Sequence, residues 1–393
     1  MKRLSAAVLF AILLAACSSA PPTLSLPPTL APTQPDADAA SATAPPAAPD
    51  APDAPPAATA TPLPATAPPA PTPTPPSDAV PCPLTGRDVS ETVLAARRPL
   101  QVQLGNSNPE RPQFGLAQAD MVFETLSEGG ITRFTAMFLC QDAPDIAGVR
   151  SGRLINLHTV PMFDAIFVHV GASEQVQALF EGDRRIRDSS LDFFRNHPGF
   201  TLQPDRRRAP FDVFTSTAAL YAAAAERDIE IPGRAIPAIA FDPTPPTGGA
   251  PIGSATIRHH SSYWVRWKWD AAAQNWTRYL SSEARADEDA PHRDAETGRT
   301  LTAQNVIVIR AVHRQTDIVE DSLGSRSIEV ELIGSGDAWF LRDGQLYEGR
   351  WQRDEPTQWF TLTLANGTPY VFAPGNTYVH FYQPGLALDT NGD

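Results

Sequence analysis

Hydrophobic positions fall along this chain in three successive patterns. The first is brief: Lys2 and Arg3 precede an apolar run over 6–14 that closes in Leu14-Ala15-Ala16-Cys17. A basic tip, an apolar stretch and small residues at a cut make a secretory signal, and about ten apolar residues are too few for a membrane span of roughly twenty. In the second pattern, over 18–83, apolar order vanishes: there is no aromatic residue and 22 of the 41 prolines lie here. The third, from residue 84 onward, shows the short alternating and apolar runs of a folded head.

Within the head, residues 100–104 read as a strand ending in the turn Gly105-Asn106-Ser107-Asn108-Pro109. Apolar runs over 121–126 and 131–139 flank Ser127-Glu128-Gly129-Gly130, whose glycines supply the positive φ of a tight hairpin. Helices are expected over 151–160, over 173–180 with Ser173 as N-cap, and over 217–227, with a strand over 165–170. Strands interleaved with helices predict a mixed sheet covered by helices. The turn-forming run Asp242-Pro243-Thr244-Pro245-Pro246-Thr247-Gly248-Gly249 then interrupts the pattern. Beyond it, strands are expected over 255–257, 263–269, 276–280, 306–312, 328–333, 338–341, 345–351, 358–362 and 378–381. Turn pairs such as Asp343-Gly344 and Asn366-Gly367 make this segment a β-sandwich or barrel-like meander. In 263–269, period two places Tyr263, Val265, Trp267 and Trp269 on a core face and Trp264, Arg266 and Lys268 on the other.

The fold class is thus α+β, in four parts. Residues 1–17 are a lipoprotein signal ending in the lipobox cysteine, and 18–83 a disordered Pro/Ala/Thr-rich spacer. Residues 84–241 are a mixed α/β domain, and 254–383 a β-rich domain. The thiol of Cys17 is the expected lipidation site, placing the protein on the outer face of the cell membrane; each buried acyl methylene contributes about 0.8 kcal/mol. Without aromatic side chains the spacer has nothing to offset its ordering entropy.

Composition narrows the function. The net charge is −13 and the spacer has no Lys or Arg, a poor balance for binding nucleic acid. Besides Cys17 the only cysteines are Cys82 and Cys140, without a CxxC. In an oxidising compartment they either pair, pinning the spacer's end to the first domain, or stay apart.

Candidate chemistry sits in polar residues at strand ends and turns: Glu124, Glu128, Arg133, Arg150, Ser151, Arg153, Asp164, His169 and Ser173. Val149-Arg150-Ser151-Gly152-Arg153 reads as a helix opening, where free N–H groups and two guanidiniums suit a phosphate or carboxylate. The competing reading pairs these arginines with Glu124, Glu128 and Asp164 as a structural ion network. His169 is either a hydrogen-bonded sheet histidine or a catalytic one. His292 and Asp294 lack a third ligand, so no metal and no cofactor are expected. There is no HExxH, GxSxG, P-loop or SxxK pattern.

Arg98-Pro99-Leu100, Arg111-Pro112-Gln113, Gln118-Ala119-Asp120, Glu128-Gly129-Gly130-Ile131-Thr132-Arg133-Phe134, Val149-Arg150-Ser151 and Val168-His169-Val170-Gly171-Ala172-Ser173 together resemble the YerB-like lipoprotein family. The resemblance continues through Pro291-His292-Arg293-Asp294, Ala303-Gln304-Asn305-Val306, Ile333-Gly334-Ser335-Gly336 and Gly349-Arg350-Trp351. Leu104-Gly105-Asn106 departs from it, standing where the family carries an aliphatic-Asp-Asn turn, and Ala172 replaces a glycine. The resemblance implies a membrane-tethered envelope protein with separate amino- and carboxy-terminal domains, and no reaction. No catalytic residue is assigned. Three roles follow: a non-catalytic binder of an anionic envelope component or envelope protein through an anion site in the first domain; a polyprenyl-pyrophosphate-dependent phosphotransferase; and a scaffold that docks a partner.

Overall fold

The computed structural model describes residues 77–231, 236–282 and 285–390; the signal, Cys17 and nearly all of the spacer lie outside the described residues. In chain order the first segment supplies β1 (Leu100–Gly105), β2 (Met121–Leu126), β3 (Thr132–Phe138), α1 (Asn156–Phe163), β4 (Ile166–His169), α2 (Glu174–Gly182), α3 (Arg184–Arg187), β5 (Ser190–Asp192) and α4 (Thr217–Glu226). Past the Pro/Gly run come β6 (Ala250–Pro251), β7 (Ser254–His260), β8 (Tyr263–Asp270), β9 (Asn275–Ser282), β10 (Arg285–Pro291) and β11 (Asn305–Arg310). They are followed by β12 (His313–Val319), β13 (Arg326–Val330), β14 (Gly334–Arg342), β15 (Gln345–Arg353), β16 (Thr361–Leu364) and β17 (Thr377–Tyr382). The first segment is a mixed sheet with few helices and the second is rich in strands, the class its hydrophobic pattern predicts.

Eleven strands join in one sheet, ordered β6-β15-β14-β11-β17-β2-β3-β1-β4-β5, with β16 beside β15. Strand β17 lies between β11 and β2 and is parallel to both, so the two segments meet by main-chain hydrogen bonds. A second sheet, β7-β8-β9-β10 with Thr302–Ala303 beside β9, covers one face. Alternation along the central strands feeds two cores. Val122 and Tyr378 face the second sheet and pack with Val265, Trp267 and Trp276. Met121, Phe123, Val379 and Phe381 face the other way and pack with Met162 and Phe163 of α1. Each fully buried large apolar side chain contributes about 1.5–3 kcal/mol.

The β2–β3 hairpin turns at Glu128–Gly130, with Gly129 and Gly130 at φ 72° and 73°. A Cβ at Gly130 would sit 2.6 Å from the exposed His260 ring, which would have to swing aside, while the positive φ itself favours glycine. Cys82 and Cys140 form a disulfide that ties residue 82 to the chain just past β3. On β8, Tyr263, Val265 and Trp267 are core; Trp264, on the other face, is nevertheless 6 % exposed, under the Arg266 guanidinium.

Local expectations shift in several places. The helix expected over 151–160 starts at Asn156, so Arg150, Ser151 and Arg153 precede it in irregular chain. Their backbone is already committed: Arg150 N donates to Gln103 O at 2.8 Å, Gly152 N to Gly171 O at 2.8 Å, and Arg153 N to Asn156 Oδ1 at 2.8 Å. The free N–H cradle read from the sequence is therefore absent at this point. The strand expected over 328–333 is Arg326–Val330, and that expected over 358–362 is Thr361–Leu364. Strand β12, polar on its outer face, escaped the sequence pattern; its Ile318 packs on the cluster of Leu154, Phe167 and Phe180.

Candidate functional site

The candidate residues divide among separate environments. Glu124, on β2, is fully buried between the two sheets, and its register partner on β17 is His380. Its Oε1 accepts from Thr132 Oγ1 at 2.7 Å, Tyr263 OH at 2.9 Å and Asn106 Nδ2 at 3.4 Å. Its Oε2 lies 2.8 Å from Arg278 Nη2 and 3.2 Å from His380 Nδ1. Arg278 is also completely buried; its Nε donates to His292 Nδ1 at 3.0 Å, and its guanidinium stacks near Phe134, Trp267 and Tyr378. His292 then passes its remaining N–H from Nε2 to Gln113 Oε1 at 2.7 Å.

Protonation follows from these contacts. Burial disfavours the Glu124 carboxylate, but the Arg278 guanidinium above all, with the hydrogen bond from Thr132, outweighs it and holds the group well below the usual carboxylate range. Burial pushes His259 down to about 4 and holds His380 and His292 well below their ordinary value. At neutral pH the network carries one carboxylate and one guanidinium among neutral imidazoles, a balanced buried charge.

Glu124, His259 and His380 place ligand atoms within 4.8 Å of one another, as a metal site would. The donor set does not fit a cation. Trp267 Nε1 donates to His380 Nε2 at 3.0 Å, so the ring's own proton is on Nδ1, pointing at Glu124 and at His259 Nε2, 3.1 Å away. A proton stands where a metal would need a lone pair, and Arg278 already neutralises the carboxylate.

Glu128, Arg133 and Arg153 do converge. Glu128 Oε1 pairs with Arg133 Nη2 at 3.1 Å and with Arg153 Nη2, and its Oε2 accepts from Arg153 Nε at 2.8 Å. Arg153 Nη1 also lies 3.6 Å from Glu320, brought in by the β12–β13 hairpin. The space left among Ser127, Glu128, Arg133 and Arg153 is about 10 Å³. Arg150 turns instead to Glu110, 2.8 Å away, and lies over the Phe211 ring. The Glu110 carboxylate occupies the place of a side chain at Gly105, where a Cβ would fall 1.9 Å from Oε1. At the position where the resembled family has an Asp, this chain brings in an acid from five residues downstream.

The other candidates stand apart. Asp164 accepts from Arg98 Nη2 at 3.0 Å beside an open basin of about 660 Å³ lined by charges of both signs. His169 bonds Ser190 and the Gly171 carbonyl. Ser151 lends its carbonyl to Arg153 Nη1 at 3.5 Å. Ser173 holds the N-cap position of α2 without a side-chain capping bond, and its buried Oγ has no hydrogen-bond partner among the described residues. Sequence reasoning missed Arg278, His259, His380 and Tyr263; the one signal was a charged or imidazole residue inside apolar runs such as Tyr378-Val379-His380-Phe381.

Residues 84–230 match the family model described as the N-terminal domain of a protein of unknown function, DUF3048, and residues 255–379 match its C-terminal domain. Over 312 residues the chain is 28% identical to a Bacillus subtilis (strain 168) protein named "Putative lipoprotein YerB", covering 77% of this chain and 88% of that one. A crystal structure of the YerB protein from Bacillus subtilis superposes with a TM-score of 0.65 at 25% identity, covering 79% of this chain and 99% of that one.

Proposed function

We propose that this chain, which belongs to the DUF3048 family of YerB-like proteins, is a lipid-anchored envelope protein whose head docks a partner and does no chemistry at its arginine cluster. Cys17 in its lipobox and the lipoprotein name of the Bacillus relative support the anchor. Among the described residues no helix is long and apolar enough to cross a membrane. The spacer then holds the head off the outer face of the cell membrane.

One observation carries the docking reading: each guanidinium expected to take an anion is already paired within the protein, with about 10 Å³ left between Arg133, Arg153 and Glu128. A pyrophosphate would have to displace Glu128 or Glu320. Phosphoryl transfer also needs a carboxylate for Mg²⁺, and Glu124 is tied to Arg278 while Asp164 is tied to Arg98. The ion network stiffens the head, which suits a docking body better than a ligand pocket.

A thermal-shift series on the full chain in detergent tests this, using pyrophosphate, an undecaprenyl-phosphate analogue, muropeptides and Mg²⁺. No change in melting temperature is expected. A rise abolished by Arg150→Ala would overturn the docking reading in favour of an anion site. Labelling with an alkyne fatty acid tests the anchor: label is expected on the native chain and not on Cys17→Ser.

A further inference from the structure

At the edge of the sheet, β4 and β5 run parallel and put Phe167, His169, Ser190 and Asp192 in neighbouring registers. His169 is 1 % exposed. Its Nδ1 lies 2.9 Å from the Gly171 carbonyl, which only accepts, so the ring proton is on Nδ1. Nε2 therefore presents its lone pair to Ser190 Oγ, 2.8 Å away, and the hydroxyl must donate. The ring is clamped by Phe167, stacked at 4.3 Å, and by the edge of Phe180. Burial lowers its pKa, keeping it neutral and able to take a proton at physiological pH.

Ser190 lines a cavity of about 140 Å³ whose walls include Phe180, Arg187, Arg195, Arg227 and His197. Glu181 also lines it and pairs with Arg195, and Asp188 pairs with Arg187 at 2.9 Å. Asp192, beside His169, is occupied: its Oδ1 accepts from the backbone N–H of Gly171 at 2.8 Å and of Phe194 at 3.0 Å. His169 thus closes β4 and Ser190 opens β5, with a cavity lined by three guanidiniums and Glu181 over the hydroxyl.

We propose that Ser190 is a nucleophile and His169 its general base, in an acyl-transfer site for a small ester bearing a carboxylate or phosphate. Ser190 Oγ bonds to the ester carbonyl carbon as its proton passes to His169 Nε2. The bond to the alcohol oxygen breaks, and that oxygen takes the proton from His169. Water then attacks the acyl-serine, again through His169, releasing the acid and restoring Ser190. Arg227, the one guanidinium of the cavity wall with no carboxylate partner among the described residues, holds the anionic group and the developing oxyanion. A carbonyl rather than a carboxylate orients the imidazole, so this base is weaker than in a full triad. The site goes beyond the docking role and is independent of it.

The test is a fluorophosphonate probe on the full chain in detergent, with the adduct mapped by peptide mass spectrometry. An adduct on Ser190 is expected, absent from Ser190→Ala. His169→Asn, which keeps a donor for the Gly171 carbonyl and removes the base, should slow labelling by about 100-fold. Millimolar phosphate should slow it as well. No Ser190 adduct on the native chain overturns the proposal, whatever the variants do, and so does an unchanged rate in a folded His169→Asn. Indifference to phosphate overturns the anionic substrate class.

Discussion

Trp267 donates its indole N–H to His380 Nε2 at 3.0 Å, and that bond sets the protonation around Glu124. With Nε2 accepting, the imidazole keeps its proton on Nδ1, toward the carboxylate. Trp267→Phe keeps the ring but orphans a buried nitrogen, at a cost of about 1–3 kcal/mol. Urea unfolding should show that loss, and the ¹⁵N shifts of His380 should show its tautomer released. An unchanged His380 spectrum would refute this account.

The Glu124–Arg278 pair makes a sharper prediction. Both side chains are fully buried, so removing either partner strands a charge at about 3–5 kcal/mol. Glu124→Gln and Arg278→Met should each destabilise by that order, and the double variant by much less than their sum. Strict additivity would mean the two do not act as a pair.

Stability should fall with acid, and the sign follows from the histidines. Burial takes His259 from an ordinary 6.5 to about 4. Between those values the unfolded chain holds the extra proton, so stability rises with pH there and is lost as pH falls. At about 1.36 kcal/mol per unit, His259 alone accounts for about 3 kcal/mol by pH 4. His158, pushed to about 4 by burial and Arg353, acts in the same direction. Asp120 opposes them: burial raises it to about 6 despite bonds from Leu139 N and Cys140 N, so its ionisation costs stability as pH rises toward 6. Urea midpoints compared at pH 7 and pH 5 should show the histidines prevailing; a flat profile would show them balanced.

Reduction of Cys82–Cys140 opens a link across a separation of 58 residues. Loop-closure entropy sets the loss at about 4 kcal/mol. Dithiothreitol should lower the melting temperature of the native chain and leave Cys82→Ser/Cys140→Ser unmoved.

Local pairs were the legible part of the fold. The β2–β3 hairpin shows in two apolar runs around Gly129-Gly130, and α4 shows in its alanines; its cap, Ser216, is seen only in the structure. The start of α1 was misplaced because the tertiary partners Gln103 and Gly171 take the N–H groups that a helix opening would leave free. The site divides in the same way. The sequence reading puts Glu128, Arg133 and Arg153 in one ion network but joins Arg150, Glu124 and Asp164 to it, which the structure pairs elsewhere. Tyr263, by contrast, reaches Glu124 across 139 positions, and no periodicity reports such a distance. Gly105, visible in sequence only as a missing Asp, becomes intelligible once the Glu110 carboxylate is seen in its place.

Strand β17 brings one more consequence. Because Thr377–Tyr382 lies between β2 and β11, a polypeptide delivered amino end first has a gap in the middle of its sheet until these residues arrive. Until then β2 and β11 each expose an unpaired edge, and Glu124 waits without His380. Cooperative closure thereby waits for these residues, which keeps the incomplete chain pliable and makes any stop before Thr377 leave an open, sticky remnant rather than a smaller closed head.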